Sequence, residues 1–404
     1  MRRINPTNFK VATRGTSREI NRQIALTLIR MNQPISRADL ARIMKMRRGA
    51  VSLLVNELLG EGLIFEGAKG DARRGRKPQF LYIDSRNRCV LAVDVRASRT
   101  YIMVTDLVGR QLLGISSFAT EADPAVFVVE LARRVKAILS EHQDLGQCQG
   151  IGVVVPGMVD YTTSRVLNAP TLGWRDVDIR TPLSEATGFA VFLENSGKAC
   201  ALSQMWGSSR NDTHVEDLVF VSVSDGVGVG IVIHGQVLRG RHNVAGEYGH
   251  IPLDLSGPKC ACGASGCWET FISNPATLAR YFGRSLPEFR GGEPAALTID
   301  DLITRARQGD AKAIGALETS GRYLGYGLAT IINSIDPQRI YIGGEITTAW
   351  DLVEPKVRAA ISERVLTKGA LTTELLTVSA EDYPRLRGAA ALVASPAFAA
   401  PVVA

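Results

Sequence analysis

The apolar positions keep a helical period over the first sixty residues, then give way to β-branched runs from residue 89 onward. Between residues 17 and 31, Ile20, Ile24, Leu28 and Met31 recur at spacings of four, four and three, predicting an amphipathic helix capped by Ser17. After Gln33-Pro34, the pair Ser36 and Asp39 resembles a capping box and predicts a second short helix through Met44. Residues 45–49 then form a turn. Residues 50–59 form a third helix that directs Val51, Leu54, Val55 and Leu58 inward and is closed by Gly60 and Gly62. Two strands follow, over residues 63–65 and 80–83, joined by the loop GAKGDARRGRKPQ. Beyond them, strands at residues 90–95, 101–105, 150–155, 218–223, 228–233 and 339–342 alternate with helices such as 124–142, which predicts an α/β fold.

A chain of 404 residues exceeds one compact core, so two or three domains are expected. The longest apolar runs are too short for a membrane span and the N-terminus lacks a signal-peptide core, so no membrane association and a cytoplasmic location are expected. The last residues, 389–404, begin as a helix and become a Pro-broken apolar tail to which the sequence assigns no role. Charge divides the chain more sharply. Residues 1–80 hold 17 Lys and Arg against 6 Asp and Glu, a balance of +11, while the remainder carries 30 against 34, or −4. A basic head on a slightly acidic body suits a polyanionic partner, although a charge run can be no more than a solvated face.

The pattern of the head decides between them. Two short helices joined by a tight turn, then a basic hairpin, form a winged helix-turn-helix, whose expected partner is double-stranded DNA rather than another protein. Arg47, Arg48, Ser52 and Asn56 would face the major groove. Arg73, Arg74, Arg76 and Lys77 would form a wing tip suited to phosphates and a narrow minor groove.

In the body, His250-x9-Cys260-x-Cys262-x4-Cys267 supplies one imidazole and three thiolates. That is a complete tetrahedral set for Zn2+ with no open position, so the metal would be structural. A nucleic-acid-binding zinc knuckle would need basic and aromatic neighbours, and only Lys259 and Trp268 qualify. The acids Glu247 and Glu269 flank the cluster, and such carboxylates bridge adjacent sugar hydroxyls. Cys89, Cys148 and Cys200 stand isolated in apolar surroundings and are expected as reduced thiols. Glycine-rich turns at 156–160, 225–230 and 343–345 could admit a phosphate or hydroxyl to the backbone, though each alone is ordinary turn geometry.

The segments AGEYGH (245–250), CACG (260–263) and GCWE (266–269) resemble the ROK family of sugar kinases and sugar-responsive repressors. The likeness spans residues 86–404, and the winged head extends it to the repressor branch. It implies an actin/hexokinase-like, ribonuclease-H-like body of two lobes. The expected domains are 1–85 for the head, 86–200 for the first lobe completed by a C-terminal helix at 384–396, and 201–383 for the second lobe. The resemblance further implies zinc on His250, Cys260, Cys262 and Cys267, and a sugar pocket lined by Asn195, Glu247, His250 and Glu269. His250 would hold metal through one nitrogen and face sugar with its other edge.

Two departures separate the chain from the family's kinases. Their first phosphate loop resembles Asp-x-Gly-Gly-Thr, whereas here Asp94 is followed by Val95-Arg96-Ala97-Ser98-Arg99-Thr100. Their catalytic segment resembles Glu-Asn-Asp-Ala-Asn-Ala, whereas here Glu194-Asn195-Ser196-Gly197-Lys198-Ala199 puts serine in place of the aspartate base. A neutral hydroxyl cannot take the sugar proton without a base of its own. The resemblance therefore implies a non-catalytic, dimeric or tetrameric repressor with operator DNA and a sugar or sugar-phosphate effector as partners. A sugar kinase carrying an added head is the alternative.

Overall fold

The structure, a computed structural model, describes residues 14–69, 79–207, 215–291 and 297–398. The wing-tip candidates Arg73, Arg74, Arg76 and Lys77 lie outside them. The head contains helices Arg14–Asn32, Arg37–Ile43 and Arg48–Gly60, and an antiparallel sheet in which Gln79–Ile83 lies between Ile35–Ser36 and Ile64–Lys69. Val51, Leu54, Val55 and Leu58 are buried as their spacing requires. The Ser36 hydroxyl accepts from Asp39 N–H at 3.1 Å and donates to its carboxylate at 2.6 Å, capping the second helix. Ser17 is no cap, because the first helix begins at Arg14 and places it one turn inside. Between the second and third helices, Lys45 takes a left-handed φ of 53° to close the turn.

The body repeats one plan twice. In the first sheet, Arg88–Val95 pairs parallel with Gln147–Val155, which pairs parallel with Val191–Asn195; Arg99–Thr105 and Ser116–Ala119 extend it antiparallel. In the second, Leu218–Val223 pairs parallel with Arg339–Gly343, and that with Glu374–Thr377, while Val227–Ile233 and Gln236–Val237 run antiparallel. Central strands covered on both faces explain the near-continuous apolar runs of the sequence. The glycine run at 225–230 is largely strand from Val227 onward, so the turn itself is shorter than the sequence suggests.

Two helices join the lobes. Ser196–Gly207 presents Cys200 and Ala201 to the second sheet, and Ala199 and Leu202 to the helix Pro384–Ala394. That last helix lies on the first sheet through Val90, Ala92 and Val154. Its Gly388 has no room for a Cβ, which would overlap the carbonyl of Ala199. The chain then does what its sequence did not announce. A 3-10 turn at Ser395–Ala397 leads Phe398 into the core of the head, where it is 7% exposed and belongs to the cluster of Leu26, Ile29 and Leu58. Thr27 Oγ1 donates to the Phe398 carbonyl at 2.9 Å, Trp206 packs against the ring at 5.2 Å, and Arg30 lies 3.9 Å over the Trp206 ring. Arg30 also donates to the Trp206 carbonyl at 2.8 Å.

Candidate functional sites in the head and the cleft

On the head, Arg47 and Arg48 stand exposed at the start of the third helix, with Asn56 exposed two turns further on and Ser52 half-buried between them. The four groove-facing candidates thus share one face. Arg37, the first residue of the second helix, organises that face. Its guanidinium donates to Glu66 of the first wing strand at 2.8 and 3.0 Å, to the Asn56 side-chain oxygen at 2.9 Å and to the Ser52 carbonyl at 3.5 Å.

In the body, the ligand atoms of His250, Cys260, Cys262 and Cys267 lie within 4.8 Å of one another. Cys260 Sγ is 3.6 Å from His250 Nδ1, and Cys262 Sγ is 3.6 Å from Cys267 Sγ. Tetrahedral zinc with sulfur arms of about 2.3 Å requires edges of about 3.8 Å, so the four groups fit that ion. The loop is shaped for the task. Gly266, at φ +69°, sits where a Cβ would overlap the Asp254 carbonyl, and it lets the strand-like bridge of Pro252 and Cys267 form. Trp268 is 0% exposed, donates to the Tyr323 carbonyl at 2.9 Å and packs where Gly327 leaves space on the helix Ala311–Ile335. A buried indole cannot stack on a base, which removes the nucleic-acid-knuckle alternative.

The cluster joins the cleft through two acids. Glu269 reaches Cys260 Sγ at 3.0 Å with one oxygen and lies beside Gly226 with the other. His250 turns its second nitrogen, Nε2, toward Glu247 at 4.0 Å, the two-sided posture required for a residue that serves metal and ligand together. Burial raises the Glu247 carboxyl above the ordinary carboxylate range, with Lys198 and His250 opposing and Glu269 adding to the rise. Glu247 therefore lies within electrostatic reach of both His250 and Glu269. Asn195 acts in a different capacity. Its side-chain oxygen accepts from the Gly197 and Lys198 amides at 2.8 and 3.1 Å, and its amide donates to the Gly157 carbonyl at 2.8 Å. It caps the joining helix and keeps a single N–H for a ligand.

Val191–Asn195 ends before Ser196, which is the first residue of a helix, so Glu194 and Ser196 do not share a strand face. Glu194 is occupied in any case, accepting from Arg239 at 2.8 and 3.0 Å. Lys198 is 1% exposed and donates to the Asn243 carbonyl at 2.6 Å, while burial lowers its pKa below the ordinary lysine value. In the first phosphate loop, Arg96 donates to the wholly buried Asp94 at 2.8 Å, and Arg385 approaches the other oxygen at 3.9 Å. The Asp94 carboxylate is thereby held between two arginine side chains.

Residues 90–395 match the ROK family, and the chain belongs to it. The chain is 30% identical to the xylose repressor of Bacillus subtilis over 371 residues, 91% of this chain and 93% of that one. It is 28% identical to the DNA-binding transcriptional dual regulator NagC of Escherichia coli over 379 residues, 93% and 92% of the two chains. Among solved structures, a ROK family transcriptional regulator described as a homolog of the E. coli MLC protein superposes with TM-score 0.79 at 27% identity, covering 95% of this chain and 97% of that one. A ROK family glucokinase from Streptomyces griseus, in complex with glucose and AMPPNP, superposes with TM-score 0.62 at 24% identity over 75% of this chain and 98% of its own. That likeness shows the shared actin/hexokinase-like fold of the body.

Proposed function

We propose that this protein is a transcriptional repressor that holds operator DNA with its winged head and senses a sugar or sugar phosphate in a zinc-braced cleft, without phosphorylating it. The observation that carries the reading is the ion pair of Arg96 with the buried Asp94 where the family's kinases have a glycine-rich phosphate loop, in a chain that keeps Glu247, His250 and Glu269. Ser196 adds to it, since a hydroxyl replaces the base of the family's kinases. In this reading His250, Cys260, Cys262 and Cys267 hold zinc, whose role is to fix the loop that carries Glu269. Two copies place two heads on a palindrome, because two-fold symmetric oligomers read two-fold symmetric sites.

A thermal-shift panel of free and phosphorylated monosaccharides, including xylose and N-acetylglucosamine after the repressors named for them, tests the sensor. A selective ligand raises the melting temperature by an amount that grows with the logarithm of its concentration above Kd. With ATP and the same panel, a coupled assay is expected to register no sugar-dependent ADP release, and sustained turnover would establish the kinase instead.

The head makes its own prediction. Arg48→Ala is expected to relax the choice of base at one position of the half-site and to cost about 1–3 kcal/mol on the preferred sequence, the signature of a lost base contact. An unchanged base preference would remove Arg48 from the groove-facing set.

A further inference from the structure

The exposed face of the third head helix carries a feature that phosphate binding does not explain. At 100° per residue, Gly49, Leu53 and Asn56 fall along one line opposite the buried Val51, Val55 and Leu58. Leu53 is 66% exposed at the centre of that line, between the cations Arg47 and Arg48 at one end and the Arg37–Asn56 pair at the other. A lone exposed leucine is usually unremarkable. Here it occupies the middle of the surface that a helix-turn-helix lays in the major groove, and the +11 charge of residues 1–80 suits that polyanion. Gly49, one turn before Leu53, borders open space, with nothing within 4 Å of where a Cβ would stand.

Asn56 is constrained as well. An arginine only donates, so the atom it touches at 2.9 Å is the amide oxygen, and the Asn56 NH2 group is the part turned to a ligand. Bidentate reading of adenine needs that oxygen to accept from the base's amino group. A guanidinium fixed on the oxygen, and itself held by Glu66, sets a positive charge where the adenine amino group would come.

We propose that this helix reads its operator half-site through a thymine methyl group packed on Leu53 and, beside it, a guanine whose acceptor edge takes the Asn56 NH2. Arg37 is a positioning residue that sets the donor polarity of Asn56. The inference rests on the operator-binding reading above.

The experiment selects bound sequences from a random duplex library with the full-length protein at fixed salt, then replaces each thymine of the enriched half-site by uracil. At one position binding is expected to fall about fourfold, the worth of one buried methyl group. Leu53→Ala should bind the thymine and uracil duplexes equally. Next to that position the wild type should select guanine, Asn56→Ala should lose the preference, and Arg37→Met should admit adenine. Because Arg37→Met also releases Glu66, Asn56→Ala serves as the independent check should the former fail to fold. A uracil effect that is absent, or that persists in Leu53→Ala, overturns the Leu53 assignment. Adenine in place of guanine for the wild type overturns that of Asn56. Failure to bind any duplex would instead remove the operator-binding reading itself.

Discussion

Cys267→Ser is expected to lower the metal content from about one zinc per chain to near zero and to abolish stabilisation by the sugar ligand, while the head keeps its fold. Cys267 is wholly buried, bridges to Pro252 and precedes the Trp268 anchor, so its loss acts where the loop is tied to the second lobe. The magnitude follows from comparison. Structural zinc contributes about 10–16 kcal/mol in small peptides, whereas entire domains are stable by about 5–15 kcal/mol. The ion would tie Cys260 and Cys262 to the anchored Cys267 and so fix the part of the loop that meets Glu269. Elemental analysis and a thermal-shift titration of the variant check this together. A metal-free variant that the same sugar still stabilises to the wild-type extent would detach the zinc from the sensor.

Phe398→Ala is expected to loosen the head by about 3–5 kcal/mol, the usual cost of emptying a buried aromatic site. The ring fills the core beside Leu26 and Ile29, and it also carries the contact with Trp206. Burial lowers the Arg30 guanidinium to about 10, so it remains charged at neutral pH and keeps its place over the Trp206 ring. Hydrogen exchange should show earlier opening of the head amides, and operator binding should lose its response to ligand. Trp206→Ala, which leaves Phe398 in place, should retain more head stability and yet lose the response. Unchanged exchange and an unchanged response in Phe398→Ala would deny the tail any part in coupling.

Those two sites mark opposite ends of what could be read from the chain. The metal cluster was legible because four ligand-bearing residues lie within eighteen positions, and local spacing with glycines between thiols nearly determines the loop. The buried stripe Val51, Leu54, Val55 and Leu58 was legible for the same reason, since a helix converts spacing directly into a face. Phe398 was not, because its partners Thr27 and Arg30 lie some 370 positions away and nothing in an apolar tail specifies its receptor. Arg37 was missed for a related reason. Its importance lies in Glu66 and Asn56, partners that only the tertiary fold brings near. Asn195 was read as a sugar-pocket residue, and the structure assigns two of its three hydrogen bonds to capping a helix.

The joining helix Ser196–Gly207 starts at that cap and ends at Trp206 under the head, spanning about 18 Å as a rigid rod. On the reading proposed here, its far end moves with whatever fills the cleft at its near end. The Arg96–Asp94 pair then decides what kind of information travels along it. A kinase consumes the sugar it recognises, and its occupancy tracks nucleotide supply as much as sugar. A cleft that binds sugar without phosphorylating it, as proposed, neither erases its signal nor mixes it with the energy state of the cell. Gene expression would follow sugar concentration alone.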